Sequence, residues 1–242
     1  MVASIIHEQH WQWPLANSTE LLTLKEETLS LGFQPSGLQD RLCWLPSSSG
    51  SFSTSSAWMH FREHKALVPW KHIVWFSGHY PKASFILWLA VKKKLGTQDR
   101  LYNLALDARC LLCNSQPETH DHLFFDCPFS SHVWSLVCQK GGFTSPRAPW
   151  EAFISWVSSN WKGNSLSHKI KKLCLAISIY MLWRERNNRF HTQRSKDIQE
   201  IALSIVVEVR LKLSTFINMT NTSGNRRLQE SWDLPLSIFS CS

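Results

Sequence analysis

Five cysteine and histidine side chains fall within residues 110–127: Cys110, Cys113, His120, His122 and Cys127. Four of them read as C-x2-C-x8-H-x4-C. Two cysteines separated by two residues sit on a tight turn and aim their thiolates at one point. A later histidine and cysteine complete a tetrahedron, and three sulfurs with one imidazole are a standard structural zinc set. The eight intervening residues are long enough to return the chain, with Pro117 and Glu118 suited to a turn. His120 competes for the third position. Leu123-Phe124 after His122 favours His122, because an apolar element starting there would carry it inward. His132 and Cys138 lie close by at spacings that fit the set less well. The competing reading is three cysteines buried as small hydrophobes. A zinc ion with four protein ligands has no open coordination position, so its expected role is folding rather than activation of water. Three thiolates and one Zn2+ sum to a charge of about −1, and Arg109 beside the first ligand is placed to offset it.

Other chemistry is absent from the pattern. The seven cysteines are an odd number, and Cys43, Cys138, Cys174 and Cys241 are scattered, which argues against a disulfide framework. No two aspartates are adjacent, and the 18 acidic residues form no cluster of the kind a polymerase or nuclease uses. His60, His64, His72 and His79 recur at loosely helical steps, but no serine or cysteine nucleophile accompanies them. The expectation is a chain that is not an enzyme and takes no small-molecule substrate. The most apolar run, Leu173–Trp183, is about half the ~20 residues a membrane helix needs. The N-terminus lacks a basic start followed by an apolar stretch. The expected location is therefore intracellular, nucleus or cytoplasm, not secreted and with no membrane partner.

The elements that must position these groups read as mainly α: short helices, a small hairpin, a Cys3His zinc-binding knuckle, and a long-helix C-terminal bundle. Residues 1–46 read as a linker-like segment with one helix, over 14–31, capped by Asn17 or Ser18. Residues 47–140 read as the zinc-binding domain. A hairpin signal surrounds 46–50, between extended pieces at 40–45 and 51–53. Ser53-Thr54-Ser55 offers caps for a helix to about Lys65. A single turn holds Trp70, Ile73 and Val74. A buried helix spans Lys82–Lys94, its Lys92-Lys93-Lys94 end matching the helix dipole. Thr97 starts a further helix to about Leu106, and Pro128 starts a short one. Residues 141–217 read as a helical region, with a loop at Gly141-Gly142 and Pro146–Pro149. Helices over 150–161 and 166–191 follow, then an amphipathic stripe from Ile198 to Phe216 that suits packing on the preceding helix. Residues 218–242, rich in Asn, Ser and Thr, read as a flexible tail. The 13 tryptophans recur singly, as pins for short helices.

The formal charge of +8 is uneven: −3 over 1–46, +5 over 47–108, 0 over 109–150 and +6 over 151–242. Two basic regions flank the cysteine-rich centre, and basic surfaces favour polyanions such as RNA or DNA. The candidate contacts are Lys82, Lys92, Lys93, Lys94 and Arg100, then Arg184, Arg186 and Arg189, with Trp75 and Phe76 as candidate exposed aromatics. The bland reading of the triple lysine is a solvated helix end. A structural or interaction domain, its apolar stripe meeting a partner or a second copy, is the other class.

Several tryptophan-anchored pieces stand in order: Trp11-Gln-Trp13-Pro14, Asp40-Arg-Leu-Cys-Trp44, Gly50-Ser-Phe52-Ser53, Ala57-Trp58, Trp70-x-x-Ile73-Val74-Trp75, Pro81-Lys82-x-x-Phe85-Ile-Leu-Trp88 and Leu95-x-Thr97-x-Asp99-Arg100-Leu101. The cysteine pair follows, then Glu118-Thr119-x-x-His122-Leu-Phe-Phe-x-Cys127, Val133-Trp134, and Leu182-Trp183-Arg-Glu185-Arg186-Asn187-x-x-Arg189-Phe190. Together they resemble the zinc-binding region downstream of the polymerase in plant non-LTR (LINE-type) retrotransposon reverse transcriptases, over about residues 11–191. The resemblance implies that Cys110, Cys113, His122 and Cys127 hold one structural zinc. It also implies that the chain is a C-terminal retroelement piece without the polymerase domain, either binding nucleic acid beside the zinc or persisting as an inert relic.

Overall fold

The computed structural model describes residues 5–8, 10–15, 18–32, 42–63, 65–100 and 109–239. The chain divides into two compact units, Met1–Lys65 and Ala66–Ser242. The segments expected at 47–140 and 141–217 do not separate at residue 140, because the buried apolar side chains from Ile73 to Phe239 form one continuous core.

In the N-terminal unit, β1 (Ile6–His7) pairs antiparallel with β2 (His10–Trp11), a hairpin that no local turn signal announces. Helix α1 (Thr19–Ser30) starts at Ser18, whose side chain accepts the Leu21 N–H, and buries none of its residues. Around 46–50 the structure has turns rather than paired strands. The Trp44 N–H reaches the Gly50 carbonyl at 2.8 Å, and the Trp44 ring packs on Phe52, His60 and Phe61. Residues 40 and 41 of the expected hairpin lie outside the described residues. Helix α2 (Thr54–Phe61) opens with a reciprocal capping box between Ser53 and Ser56.

The second unit is helical. The single turn α3 (Lys71–Val74) leads to α4 (Pro81–Val91), where Pro81 takes the first-turn position that tolerates its missing N–H. Of the helix expected from Thr97, Gln98–Arg100 form a 3-10 turn, and residues 101–108 lie outside the described residues. Helix α5 (Pro128–Gly141) again begins on proline. Helices α6 (Trp150–Asn160), α7 (Leu166–Thr192) and α8 (Ile198–Ser214) follow, α8 with a capping box between Asp197 and Glu200. Helix α7 is the hub: it packs against α4, α5 and α8. Ile201, Ile205, Val209 and Leu213, at four-residue steps, are buried on this side of α8, so the stripe serves the core as expected.

Residues 218–239 are not a flexible tail. Helix α9 (Ser223–Ser231) is capped by Thr222 and packs on α7. Trp232, Leu234, Ile238 and Phe239 are buried, and Lys140 lies over the Trp232 ring while donating to the Ser231 carbonyl. Four large apolar side chains outweigh the polar composition that suggested disorder. Of the tryptophans, Trp134, Trp150, Trp161 and Trp232 are buried pins, whereas Trp58 and Trp75 are exposed. Among the described residues no helix is long and apolar enough to cross a membrane.

Candidate metal centre

Two local devices bring the four ligands together. The first is the knuckle at 110–114. The Asn114 N–H returns to the Cys110 carbonyl at 2.7 Å, and the Cys110 N–H reaches the Gln116 carbonyl at 2.7 Å. The turn closes because Asn114 takes a left-handed conformation, φ 54°, which asparagine tolerates better than most side chains. Beyond it the chain pairs back on itself at Arg109 and Pro117. Pro117 thus lies on the return limb rather than in the turn the spacing suggested.

The second device is a π turn over His122–Asp126. His122 and Cys127 are five residues apart. In an α-helix, at about 100° per residue, that separation leaves them roughly 140° apart around the axis. Widening to i→i+5 bonding reduces the rotation per residue and narrows that angle, and the Cys127 N–H bonds the His122 carbonyl at 2.7 Å. Both side chains then face the knuckle. Thr119 starts the turn, its hydroxyl accepting the His122 N–H at 3.1 Å.

The ligand atoms of Cys110, Cys113, His122 and Cys127 all lie within 4.8 Å of one another. Cys110 Sγ is 3.9 Å from Cys127 Sγ, and Cys113 Sγ is 3.3 Å from His122 Nε2. Tetrahedral bonds of about 2.3 Å to sulfur and 2.0 Å to nitrogen require edges of roughly 3.5–3.8 Å, so the donor set fits Zn2+. Cys110 and Cys127 are fully buried, His122 nearly so. The hydrogen bond to Cys127, followed by burial, pushes the Cys110 thiol up, while the same contact pulls Cys127 down. The Ser115 hydroxyl donates to Cys113 Sγ at 3.1 Å.

His120 is not part of the cluster. Its ring is buried edge-on between Phe124 and Trp150, with Nδ1 3.2 Å from Asp121. Burial lowers its pKa, which keeps it neutral in that aromatic setting. Cys138 lies outside the cluster, its thiol pushed up to about 11 by burial, and His132 does not join it either.

The basic residues fall into two groups. Lys82, Lys94 and Arg184 are exposed. Lys92 caps α4 and lies 5.8 Å from the centre of the Trp70 ring. Exposed Arg100 donates to the Lys93 carbonyl. Lys93 is half-buried between Asp121 and Glu151, at 3.4 and 3.0 Å, and the hydrogen bond to Glu151 raises its pKa. Phe76 is buried, so only Trp75 of the two candidate aromatics reaches the surface. Arg186 and Arg189 are corrections to the expected surface set, because both turn inward. Buried Arg186 donates from Nε and Nη2 to Glu118 Oε1 at 3.0 and 2.8 Å. Arg189 donates to the Leu111 and Leu112 carbonyls at 3.1 and 2.9 Å, and to Glu185 at 2.8 Å.

These two arginines, with Glu118, support the knuckle. Glu118 is fully buried and accepts the Gln98 N–H at 3.0 Å and the Leu111 N–H at 3.4 Å. One acid and two guanidiniums therefore fix the Leu111-Leu112 turn between the first two ligands from α7. The sequence alone assigns Glu118 to a turn and the arginines to the surface. No local signal corrects it, since Glu118 stands in a polar stretch and the arginines among Glu185, Asn187 and Asn188.

Residues 52–134, about a third of the chain and inclusive of all four ligands, match the family model described as zinc-binding in reverse transcriptase. Neither the curated proteins nor the solved structures yield a match to this chain. The resemblance carried by the sequence motifs thus meets an independent family match and a converged Cys3His cluster in the same segment: residues 52–134 are similar to the zinc-binding domain of reverse transcriptases.

Proposed function

We propose that the chain is a retroelement-derived module of the plant LINE type, without catalytic activity. It is held by one structural Zn2+ and binds RNA or DNA through basic side chains around the metal centre. The carrying observation is the convergence of Cys110, Cys113, His122 and Cys127 inside the family match. Bound by four protein groups, zinc supplies a cross-link and no activated water. Nucleic-acid contact then falls to Lys82, Lys92, Lys94, Arg100 and Arg184, supported by the charge of +8. The cysteine usage suits a reducing, intracellular setting.

The test is a titration of the zinc-loaded full chain against labelled RNA and DNA at two salt concentrations. Binding that weakens steeply with salt is expected, because phosphate contacts release counterions. Absence of salt-sensitive binding at micromolar protein rejects the nucleic-acid role and leaves the zinc reading standing. A second reading, an interaction domain, is favoured by Leu203, Val207 and Leu211, which are 65%, 45% and 60% exposed at four-residue steps on the outer face of α8. A concentration-dependent mass in light scattering, abolished by Val207→Glu, supports that reading.

A further inference from the structure

A chain of aromatic rings runs beside the metal centre, built from residues that neither the zinc site nor the basic helix end uses. Phe125 meets Trp134 at a centroid distance of 6.4 Å, Trp134 meets Phe143 at 5.9 Å, Phe143 meets Trp161 at 5.7 Å and Trp161 meets Trp156 at 5.9 Å. Two cavities follow this ladder. One of about 680 Å3 lies between α5 and the loop 143–149, with Phe125, Trp134 and Phe143 in its walls. The other, about 630 Å3, lies on the far side of Phe143 and reaches Trp156 and Trp161. They share Cys138, Gln139, Phe143 and Thr144, so Phe143 is a wedge between two halves of one cleft.

The loop is shaped for this. Helix α5 ends on Gly142, left-handed at φ 65°, which turns the chain back over the helix. The Phe143 ring then lies on Gly141 so closely that a Cβ there would meet it at 2.3 Å. The Trp134 indole N–H donates to the Ser145 hydroxyl at 2.8 Å and ties the loop down. Trp134 and Trp161 form a buried floor, while Phe125, Phe143 and Trp156 keep partly exposed faces. Each half of the cleft carries one cation, Arg147 in the first and Lys171 in the second, and the first also carries Asp126.

Ring faces at intervals, hydrogen-bonding groups between them and a cation in each half are what an unpaired strand needs. Bases stack on aromatic faces irrespective of sequence, and phosphates take the cations. Paired bases present no free faces to such rings. We propose that this cleft is a track for single-stranded nucleic acid, with bases against Phe125, Phe143 and Trp156 and phosphates on Arg147 and Lys171. It rests on the nucleic-acid reading above and adds the strand state and the residues that select it.

The test compares a short fluorescein-labelled oligothymidylate with a duplex of the same length, on zinc-loaded full chain. Trp156→Ala is expected to weaken the single strand at least about fivefold, the low end for loss of one stacking ring. Arg147→Gln with Lys171→Gln is expected to flatten the log K against log salt slope by about 1.4, the share of two phosphate contacts on a single strand. Duplex binding should stay within about twofold in both, since paired bases cannot stack in the cleft and so do not bring their phosphates to Arg147 and Lys171. The paired Gln replacements alter exposed or half-exposed cations, so they keep the test alive if Trp156→Ala fails to fold, as judged by circular dichroism and zinc content. Unchanged single-strand binding in the cleft variants, with loss in Lys82→Gln/Lys94→Gln, overturns the cleft and leaves the broader reading intact. No binding of either probe by wild type removes both.

Discussion

Arg186 closes on Glu118 across 68 residues of sequence, its Nη2 2.8 Å from Oε1, with both side chains buried. The pair joins the longest helix to the return limb of the metal knuckle. Removing one partner strands a buried charge, which costs about 3–5 kcal/mol. Arg186→Met should therefore destabilise the zinc-bound protein by that order in urea titration. Glu118→Gln added to Arg186→Met should recover part of the loss, because the amide oxygen still accepts the shorter bond, from the Gln98 N–H, while the charge is gone. A double variant as unstable as the sum of the two singles would show that the pair is not coupled.

Arg189 holds the knuckle through main-chain oxygens. Besides the Leu111 and Leu112 carbonyls, its guanidinium serves Glu185 and the Lys196 carbonyl at 2.8 Å. Groups that orient a ligand loop typically contribute about 10–100-fold in metal affinity. Arg189→Ala should weaken zinc binding by that factor in competition with a chromophoric chelator. Arg189→Lys should rescue little, since one ammonium cannot span four acceptors.

Lys172 is a buried cation near two histidines. Its ammonium donates to the Gly163 carbonyl at 2.9 Å above the Phe76 ring, and burial, then Lys169, lowers its pKa. Burial and then Lys172 lower His72 below 6.5, while burial and then Lys171, with a further contribution from Lys172, lower His168. Between the folded and unfolded values the unfolded chain binds more protons, so stability falls as pH drops through 6.5 towards the folded values. Lys172→Met removes one of the opposing charges. The fall in urea midpoint from neutral pH to about pH 5.5 should be smaller in the variant, at saturating zinc in both. Ligand protonation is common to the two proteins and cancels. An equal or steeper fall would contradict the assignment.

Trp232 anchors the C-terminal segment, 1% exposed beneath Lys140. Trp232→Ala should cost about 3–5 kcal/mol, the range for emptying a large aromatic site. A loss under about 1 kcal/mol would return residues 218–239 to the status of a tail.

Local rules make most helices legible. Ser18, Ser53 and Asp197 cap where capping residues stand, and the four-residue steps of α8 face the core. The cysteine spacing alone leaves His120 and His122 open. The π turn decides between them, because its wider i→i+5 bonding swings His122 round towards Cys127. What stays hidden depends on distant partners. Arg186 and Arg189 look like surface cations because their acceptors lie 68 and about 77 residues away. The C-terminal segment looks disordered because its few apolar residues are hidden in a polar composition, and only the surface that receives them makes them count. The Phe143 loop reads simply as Gly- and Pro-rich, since nothing local shows that it seats a ring between Trp134 and Trp161.

The central claim is that His122 completes a Cys3His zinc site, with His120 left to the aromatic core. Zinc content measured on purified wild type, His122→Ala and His120→Ala tests it directly. One zinc per chain is expected in wild type and in His120→Ala, and substoichiometric zinc in His122→Ala, with loss of helical signal on chelation. Full zinc in His122→Ala together with its loss in His120→Ala would contradict it.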